Sequence, residues 1–153
     1  MIENSIENQV YKEIEVGGHT WIKETFTYGY YVFKIRKHPS TQKGGKEDEY
    51  DRRFSEIEWL HNNLLRDAAG CKIPALPDKN ILTNIVQSES VINLRKKQIE
   101  NYLNYLNSHP YIKKNQYFLK FFSYNFDKEK EEIQIQRSYY QSFKDLIGYP
   151  NSK

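Results

Sequence analysis

Apolar and polar residues alternate along the first third of the chain, a pattern that is typical of half-buried β-strands. In the segment from Tyr28 to Lys37, for example, Tyr31, Phe33 and Ile35 share one parity. The same pattern predicts further strand segments at Val10 to Val16, at Thr20 to Thr25 and at about Asp48 to Phe54, with a turn at Gly17-Gly18. We therefore predict a three-stranded antiparallel sheet that ends near Phe54.

The apolar spacing becomes helical after this sheet. Ser55 and Glu58 have the S-x-x-E spacing of a capping box, so we predict that a helix begins at Ser55. One buried face of this helix is formed by Ile57, Leu60 and Leu64. Gly70 interrupts the helical pattern and is expected to end the helix.

Two further helices are predicted in the second half of the chain. Ser88 or Ser90 is expected to cap a helix that runs to about Ser108. A short apolar helix is expected from Tyr117 to Phe122. Strands first and helices second is the order of the α+β class.

A stiff loop is predicted between the first two helices. Pro74 and Pro77 hold the segment from Ile73 to Lys79 extended, because each proline fixes φ and disfavours helix at the residue before it. Lys79 is therefore presented from a rigid loop.

The second helix carries an arginine on its apolar side. Arg95 falls within the stripe that contains Ile92 and Ile99. A buried charge needs an anionic partner or a route to water, because an unpaired one is costly. From position alone, Arg95 either binds an anionic ligand, pairs with a carboxylate such as Glu58, or reaches water at the helix edge.

Composition excludes several classes of protein. The chain has 153 residues with 13 Tyr and 8 Phe, which predicts one folded domain with tails rather than a disordered protein. The net charge of +3 is too small to indicate a nucleic-acid partner. The sequence contains no apolar run of about 18 residues, so no membrane-spanning helix is predicted, and it shows no secretory signal pattern. A single cysteine, Cys71, suits a reducing compartment such as the cytoplasm.

No motif indicates an enzyme or a metal centre. Cys71 and the histidines lack the spacing of metal ligands. The sequence contains no nucleophile elbow, no P-loop and no glycine-rich dinucleotide turn. We expect a binding protein that needs no cofactor.

The chain is predicted to have three parts. Residues 1–8 form a lead-in, residues 9–126 form the domain, and residues 127–153 form a C-terminal extension. The extension has the pattern of an amphipathic helix, with an apolar side formed by Tyr139, Phe143, Leu146 and Ile147. This helix either folds back on the domain or docks onto a protein partner.

Three motifs together resemble the phox-homology (PX) domain, the phosphoinositide-binding module of sorting nexins. They are the run Arg52-Arg53-Phe54-Ser55 with Glu58-Trp59-Leu60, the loop from Ile73 to Lys79, and Arg95 with Ile99. They occur in the family's order and at compatible spacing, and the resemblance covers roughly Gln9 to Phe126. It implies a three-stranded sheet followed by a helical subdomain with a Pro-x-x-Pro loop.

The resemblance also implies a binding site for phosphatidylinositol 3-phosphate. It assigns Arg53 to the 3-phosphate, Phe54 to the inositol ring, Lys79 to the 1-phosphate, and Arg95 to the 4- and 5-hydroxyls. The position of Arg53 at a helix N-terminus independently favours an anion, and a guanidinium can bind phosphate through two hydrogen bonds.

Alternatives to these roles stay open. Phe54 and Trp59 also have the spacing of a hydrophobic staple. The alternative for Lys79 is an ordinary exposed loop lysine, and the Pro-x-x-Pro frame favours ligand contact over it. Arg52 points to the opposite face of the strand from Arg53, and we expect it to be solvated or salt-bridged.

The family places a membrane-contacting loop between Lys79 and Arg95. Its candidate residues here are Ile81, Leu82, Ile85 and Val86. The same four residues have the spacing of one face of a short helix, so burial in the core is the favoured alternative.

The function that the resemblance implies is recruitment to membranes. We expect a cytoplasmic, peripheral membrane protein that binds a phosphoinositide headgroup on endosomal membranes and takes part in sorting. The alternative is a PX-like fold that serves as a structural subunit of a larger assembly without binding lipid.

Overall fold

The computed structural model describes residues 13–26, 28–38, 48–77 and 86–148. Three strands come first: β1 (Ile14–Lys23), β2 (Gly29–Lys37) and β3 (Asp48–Arg53). The helices follow: α1 (Phe54–Asp67), α2 (Glu89–Ser108), a 3₁₀ helix (Ile112–Lys114), α3 (Gln116–Phe121) and α4 (Phe126–Leu146). The predicted α+β order is confirmed. The lead-in, Lys79, Ile81, Leu82 and Ile85 lie outside the described residues.

The sheet is the predicted antiparallel meander, with strand order β1-β2-β3. Its buried face carries Ile14 from β1, Phe33 and Ile35 from β2, and Tyr50 from β3. These are the residues that alternation places on one side of each strand. The helices pack their apolar residues against this face.

The predicted turn at Gly17-Gly18 is wrong, because β1 continues through both glycines. Val16 pairs with Ile35 and His19 pairs with Phe33, so β1 has one residue more than β2 between these pairs. This is a β-bulge, a feature for which glycine is as well suited as it is for a turn.

The start of α1 also differs from the prediction. The helix begins at Phe54. Its N-cap residue is Arg53, the last residue of β3, so strand and helix follow each other directly. Glu56 Oε1 accepts a hydrogen bond from the backbone N–H of Arg53 at 2.9 Å, so Glu56 makes the back-bond that was predicted for Glu58. Phe54 is consequently the first helical residue, and the staple of Phe54 with Trp59 is excluded by register.

The second helix covers both the sheet face and the edge of β1. Its bounds agree with the prediction, since Ser88 is the N-cap residue and Ser108 the last helical residue. Asn104 accepts from the backbone N–H of Ile14 at 3.1 Å and donates to its carbonyl at 2.7 Å. Glu100 accepts from the N–H of Val16 at 3.1 Å. These bonds satisfy polar groups of an edge strand that would otherwise be open.

Arg52 is buried, contrary to the prediction of a solvated or salt-bridged side chain. It lies on the same side of β3 as Tyr50, which is the core side. Its guanidinium donates from Nε to the carbonyl of Phe121 at 2.9 Å, from Nη2 to that of Ser123 at 2.6 Å, and from Nη1 to that of Asp51 at 2.8 Å. Burial lowers the pKa of Arg52. Backbone carbonyls thus take the place of the expected carboxylate.

The last helix folds back on the domain through its residues from Phe126 to Arg137. Phe126 and Ile133 are buried, and Arg137 donates to Asn63 of α1. Beyond Ile133 no described residue of α4 is buried. The predicted apolar stripe is exposed, as shown by Tyr139, Phe143, Leu146 and Ile147. None of the helices in the described part of the chain combines the length and apolar character needed to cross a bilayer.

Candidate functional site

A pocket of about 170 Å³ opens where β3 passes into α1. Residues of β2, β3, α1 and α2 line it, together with the segment that precedes α2, and those with polar or aromatic side chains are Tyr30, Tyr31, Phe33, Arg53, Phe54, Ser55, Glu58, Gln87 and Arg95. Three parts of the chain that are distant in sequence, namely β2, the junction of β3 with α1, and α2, therefore meet at one cavity. Of the four predicted lipid-binding residues, the structure brings Arg53, Phe54 and Arg95 together here.

Arg53 reaches the pocket because it is the last residue of β3. Alternation directs its side chain away from the core position of Arg52. The guanidinium carbon of Arg53 lies 3.7 Å from the ring centroid of Tyr30 on β2, a close cation–π contact. Because Glu56 accepts from the backbone N–H of Arg53 and Tyr30 contacts its guanidinium, both the backbone and the side chain of Arg53 are held in place.

Arg95 enters the pocket from the apolar stripe of α2, where the sequence placed it. Its exposed fraction is 8%, and the buried residues Ile92 and Ile99 flank it along the helix. The guanidinium carbon lies 4.6 Å from the ring centroid of Phe54, so the aromatic ring is a platform for this charge. The two arginines thus approach the cavity from different elements, each stacked on an aromatic ring.

Glu58 shares this pocket with both arginines. It follows Phe54 by four residues in α1, so the two side chains project from the same side of the helix. Because Glu58 and Arg95 line the same cavity, Glu58 stays a candidate for the carboxylate partner considered in the alternative interpretation of Arg95. The lining formally carries two positive charges and one negative charge among the described residues. Glu58 was expected in a capping box or as a partner of Arg95 and was not among the predicted ligand-binding residues, although its i+4 relation to Phe54 is visible in the sequence.

The chain segment that leads into α2 is hydrogen-bonded to Tyr31, which lines the pocket. The backbone N–H of Gln87 donates to the hydroxyl of Tyr31 at 3.0 Å. The Tyr31 ring packs edge-on against Trp21 with centroids 4.8 Å apart. Sequence reasoning missed this contact, because no local pattern relates residues 56 positions apart.

Only one of the predicted membrane-contacting residues can be placed. Val86 is 64% exposed, so the alternative of burial in the core is wrong for this residue. Lys79, Ile81, Leu82 and Ile85 fall outside the described residues. Across residues 13–26, 28–38, 48–77 and 86–148, no group of three or more metal-ligating side chains is arranged to hold an ion.

Comparison with known protein sequences agrees with the motifs. The sequence model of the family described as "PX domain" matches residues 40–125. Sorting nexin-30 of Mus musculus is 30% identical over 69 residues, which cover 44% of this chain and 16% of that protein. Sorting nexin-4 of Eremothecium gossypii is 30% identical over 89 residues, covering 54% and 22% respectively. The chain thus spans about a fifth of the length of these curated relatives.

Comparison with solved structures shows the same fold. The X-ray structure of a designed CISK-PX domain is similar with a TM-score of 0.59 at 24% identity, covering 71% of this chain and 95% of that one. The crystal structure of the mouse SNX19 PX domain with bound sulphate ion is similar with a TM-score of 0.57 at 16% identity, covering 73% and 95%.

Proposed function

This chain belongs to the PX domain family, and from that premise we propose that it binds phosphatidylinositol 3-phosphate and thereby attaches to membranes that carry this lipid. The observation that carries the proposal is the convergence of Arg53 and Arg95 on one small pocket with Phe54 beside them. Two guanidinium groups in a partly desolvated cavity match the charge and the hydrogen-bond geometry of a phosphorylated ring.

Each of the four predicted ligand-binding residues has a chemical role in this proposal. Arg53, at the N-terminus of α1, binds the 3-phosphate with help from the positive end of the helix dipole. Arg95 donates to the 4- and 5-hydroxyls, and the exposed part of Phe54 packs against the ring. Lys79, which the family motif assigns to the 1-phosphate, completes the set.

Membrane attachment needs more than one contact, because a single headgroup gives modest affinity. We assign the additional contact to the loop of Ile81, Leu82, Ile85 and Val86, and the exposure of Val86 is consistent with this role. The sorting-nexin relatives favour endosomal membranes as the site and sorting as the process. The chain would then act in the cytoplasm as a peripheral membrane protein and not as an enzyme.

A second candidate function is that of a subunit in a protein assembly. The observation that favours it is the second half of α4 with its C-cap residue, where large apolar side chains are more than half exposed: Tyr139, Tyr140, Phe143, Leu146 and Ile147. Such a surface is typical of a contact with another protein. The two functions are compatible when the pocket stays open, and they compete when a partner fills it.

Vesicle co-sedimentation tests the lipid proposal. We expect the wild type to bind vesicles that contain phosphatidylinositol 3-phosphate. It should not bind control vesicles in which phosphatidylserine supplies the same total negative charge. Arg53→Ala should reduce binding at least tenfold, since it removes a charge-assisted contact of about 1.5–3 kcal/mol. Arg66→Ala is the matched control, because Arg66 is exposed in the last turn of the same helix. Unchanged binding by a folded Arg53→Ala variant would refute the site, and absent binding by the wild type would favour the assembly function.

A further inference from the structure

We propose that Glu58 is a specificity-determining residue that admits a ring carrying one phosphate monoester and rejects rings with a second phosphate beside it. This inference rests on the proposed function and adds to it a reason why the pocket discriminates among phosphoinositides. The observation behind it is a carboxylate in a cavity otherwise suited to anions.

The placement of Glu58 follows from the helix geometry. Phe54 and Glu58 are four residues apart in α1, and both line the pocket with Arg95. Arg95 stacks on Phe54 at 4.6 Å, and Glu58 lines the same cavity, so we place a sugar ring that rests against Phe54 between the guanidinium and the carboxylate. Glu58 is the only acidic side chain among the described residues that line this pocket.

The charges favour a single phosphate. One phosphate monoester carries about −1.5 to −2 charges near neutral pH, and Arg53 together with the positive end of the α1 dipole supplies the opposing charge at its position. A second monoester on the same ring has to share a cavity of about 170 Å³ with the carboxylate of Glu58. Like charges in a partly desolvated site repel strongly, so a second phosphate meets the repulsion of the first phosphate in addition to that of Glu58, and this added repulsion discriminates against the doubly phosphorylated ring.

The hydrogen-bond chemistry favours a hydroxyl at the same place. An ionised carboxylate only accepts hydrogen bonds. A ring hydroxyl can donate one to it, whereas an ionised phosphate oxygen has no proton to donate. A site that is built to hydrogen-bond a hydroxyl strongly rejects analogues that lack it. Glu58 therefore complements Arg95: the guanidinium donates hydrogen bonds to the ring hydroxyls, and the carboxylate accepts hydrogen bonds from them.

The substitution Glu58→Gln isolates the charge. Glutamine keeps the length and one acceptor oxygen of the side chain but adds donors and removes the negative charge. Glu132→Gln is the matched control, because Glu132 is exposed on α4 and does not line the pocket. Binding is measured with vesicles containing phosphatidylinositol 3-phosphate, the 3,4-bisphosphate or the 3,5-bisphosphate, at equal total anionic charge. The corresponding soluble headgroups, inositol 1,3-bisphosphate and the 1,3,4- and 1,3,5-trisphosphates, are measured by calorimetry.

We expect Glu58→Gln to improve binding of at least one doubly phosphorylated ring by on the order of tenfold relative to the singly phosphorylated one, for lipids and soluble headgroups alike. The Glu132→Gln control should leave this ratio unchanged. An unchanged ratio in Glu58→Gln, an equal loss for every ligand, or a shift confined to vesicles would overturn the inference while leaving the proposed function intact. No binding of phosphatidylinositol 3-phosphate by the wild type would overturn both.

Discussion

Arg52 and Arg53 are neighbours in the sequence, yet their side chains leave β3 on opposite faces and therefore provide a matched pair of substitutions. Arg52 lies in the core and holds the turn between α3 and α4 through the carbonyls of Phe121 and Ser123. Arg53 lies in the pocket and stacks on Tyr30. We predict that Arg52→Met destabilises the fold, whereas Arg53→Met weakens ligand binding and spares stability.

The loss of stability expected for Arg52→Met follows from the backbone carbonyls that lose their hydrogen-bond donor. The Phe121 carbonyl bond is buried, and a buried acceptor that loses its partner costs about 1–3 kcal/mol. The carbonyls of Asp51 and Ser123 are in part-buried bonds, so water can replace some of what they lose. The stacking of the guanidinium on Phe126, at 4.5 Å, is lost as well and contributes about 0.5–2 kcal/mol. Methionine retains much of the buried aliphatic volume, so we expect a loss of about 3–4 kcal/mol in the free energy of unfolding.

Urea unfolding followed by tryptophan fluorescence measures this loss directly. Trp59 packs edge-on against Phe126 with centroids 5.0 Å apart, so it reports on the α4 junction that Arg52 holds. For Arg53→Met we expect a change below about 1 kcal/mol, because an exposed or half-buried cation–π contact is worth little. A free energy of unfolding for Arg52→Met within about 1 kcal/mol of the wild type, or equal to that of Arg53→Met, would refute the assignment of the two faces.

Two further predictions concern His61 and Lys130. Burial lowers the pKa of His61, whose Nδ1 lies 2.8 Å from the hydroxyl of Tyr102. The unfolded state therefore takes up a proton more readily than the folded state, and stability that is present above about pH 6.5 should fall as the pH is lowered to 5. Urea titrations at both pH values should show a smaller fall for His61→Gln, and an identical fall would contradict this reasoning. Lys130 donates to Glu56 at 2.8 Å and to Asp127 at 3.0 Å, so Lys130→Met should cost about 1 kcal/mol and speed hydrogen exchange in the first half of α4. The exposed Lys128→Met is its control, and equal exchange rates in the two variants would refute the role of the ion pair.

The architecture and the position of Arg95 were predictable because local periodicity determines them. Alternation in β2 and the apolar stripe of α2 each depend on neighbours within one element, and both predictions are confirmed. The same rule placed Arg52 and Arg53 on opposite faces of β3. What alternation did not reveal is which of those faces is buried, since that depends on the helices that follow.

The errors arose where one motif has two structural uses. A glycine pair serves a turn or a bulge equally well, and the pairing with β2 decides between them in β1. Two acidic residues, Glu56 and Glu58, lie close enough to cap α1, and the uninterrupted passage from β3 into the helix selects Glu56. Two of the three carbonyl partners of Arg52, those of Phe121 and Ser123, are about 70 positions away in sequence, so no local pattern indicated them.

The junction of β3 and α1 joins the candidate pocket to α4 through a few named contacts. Glu56 accepts from the backbone N–H of Arg53 with one oxygen and from Lys130 with the other. Arg52, one residue before Arg53, bonds to the carbonyls that precede α4. Because the same residues fix Arg53 at the pocket and the start of α4 on the domain, displacement of α4 should disturb the proposed headgroup site. By reciprocity, a ligand bound at Arg53 should strengthen the docking of α4. The proposed protein contact at the exposed half of α4 and the proposed lipid binding would then influence each other.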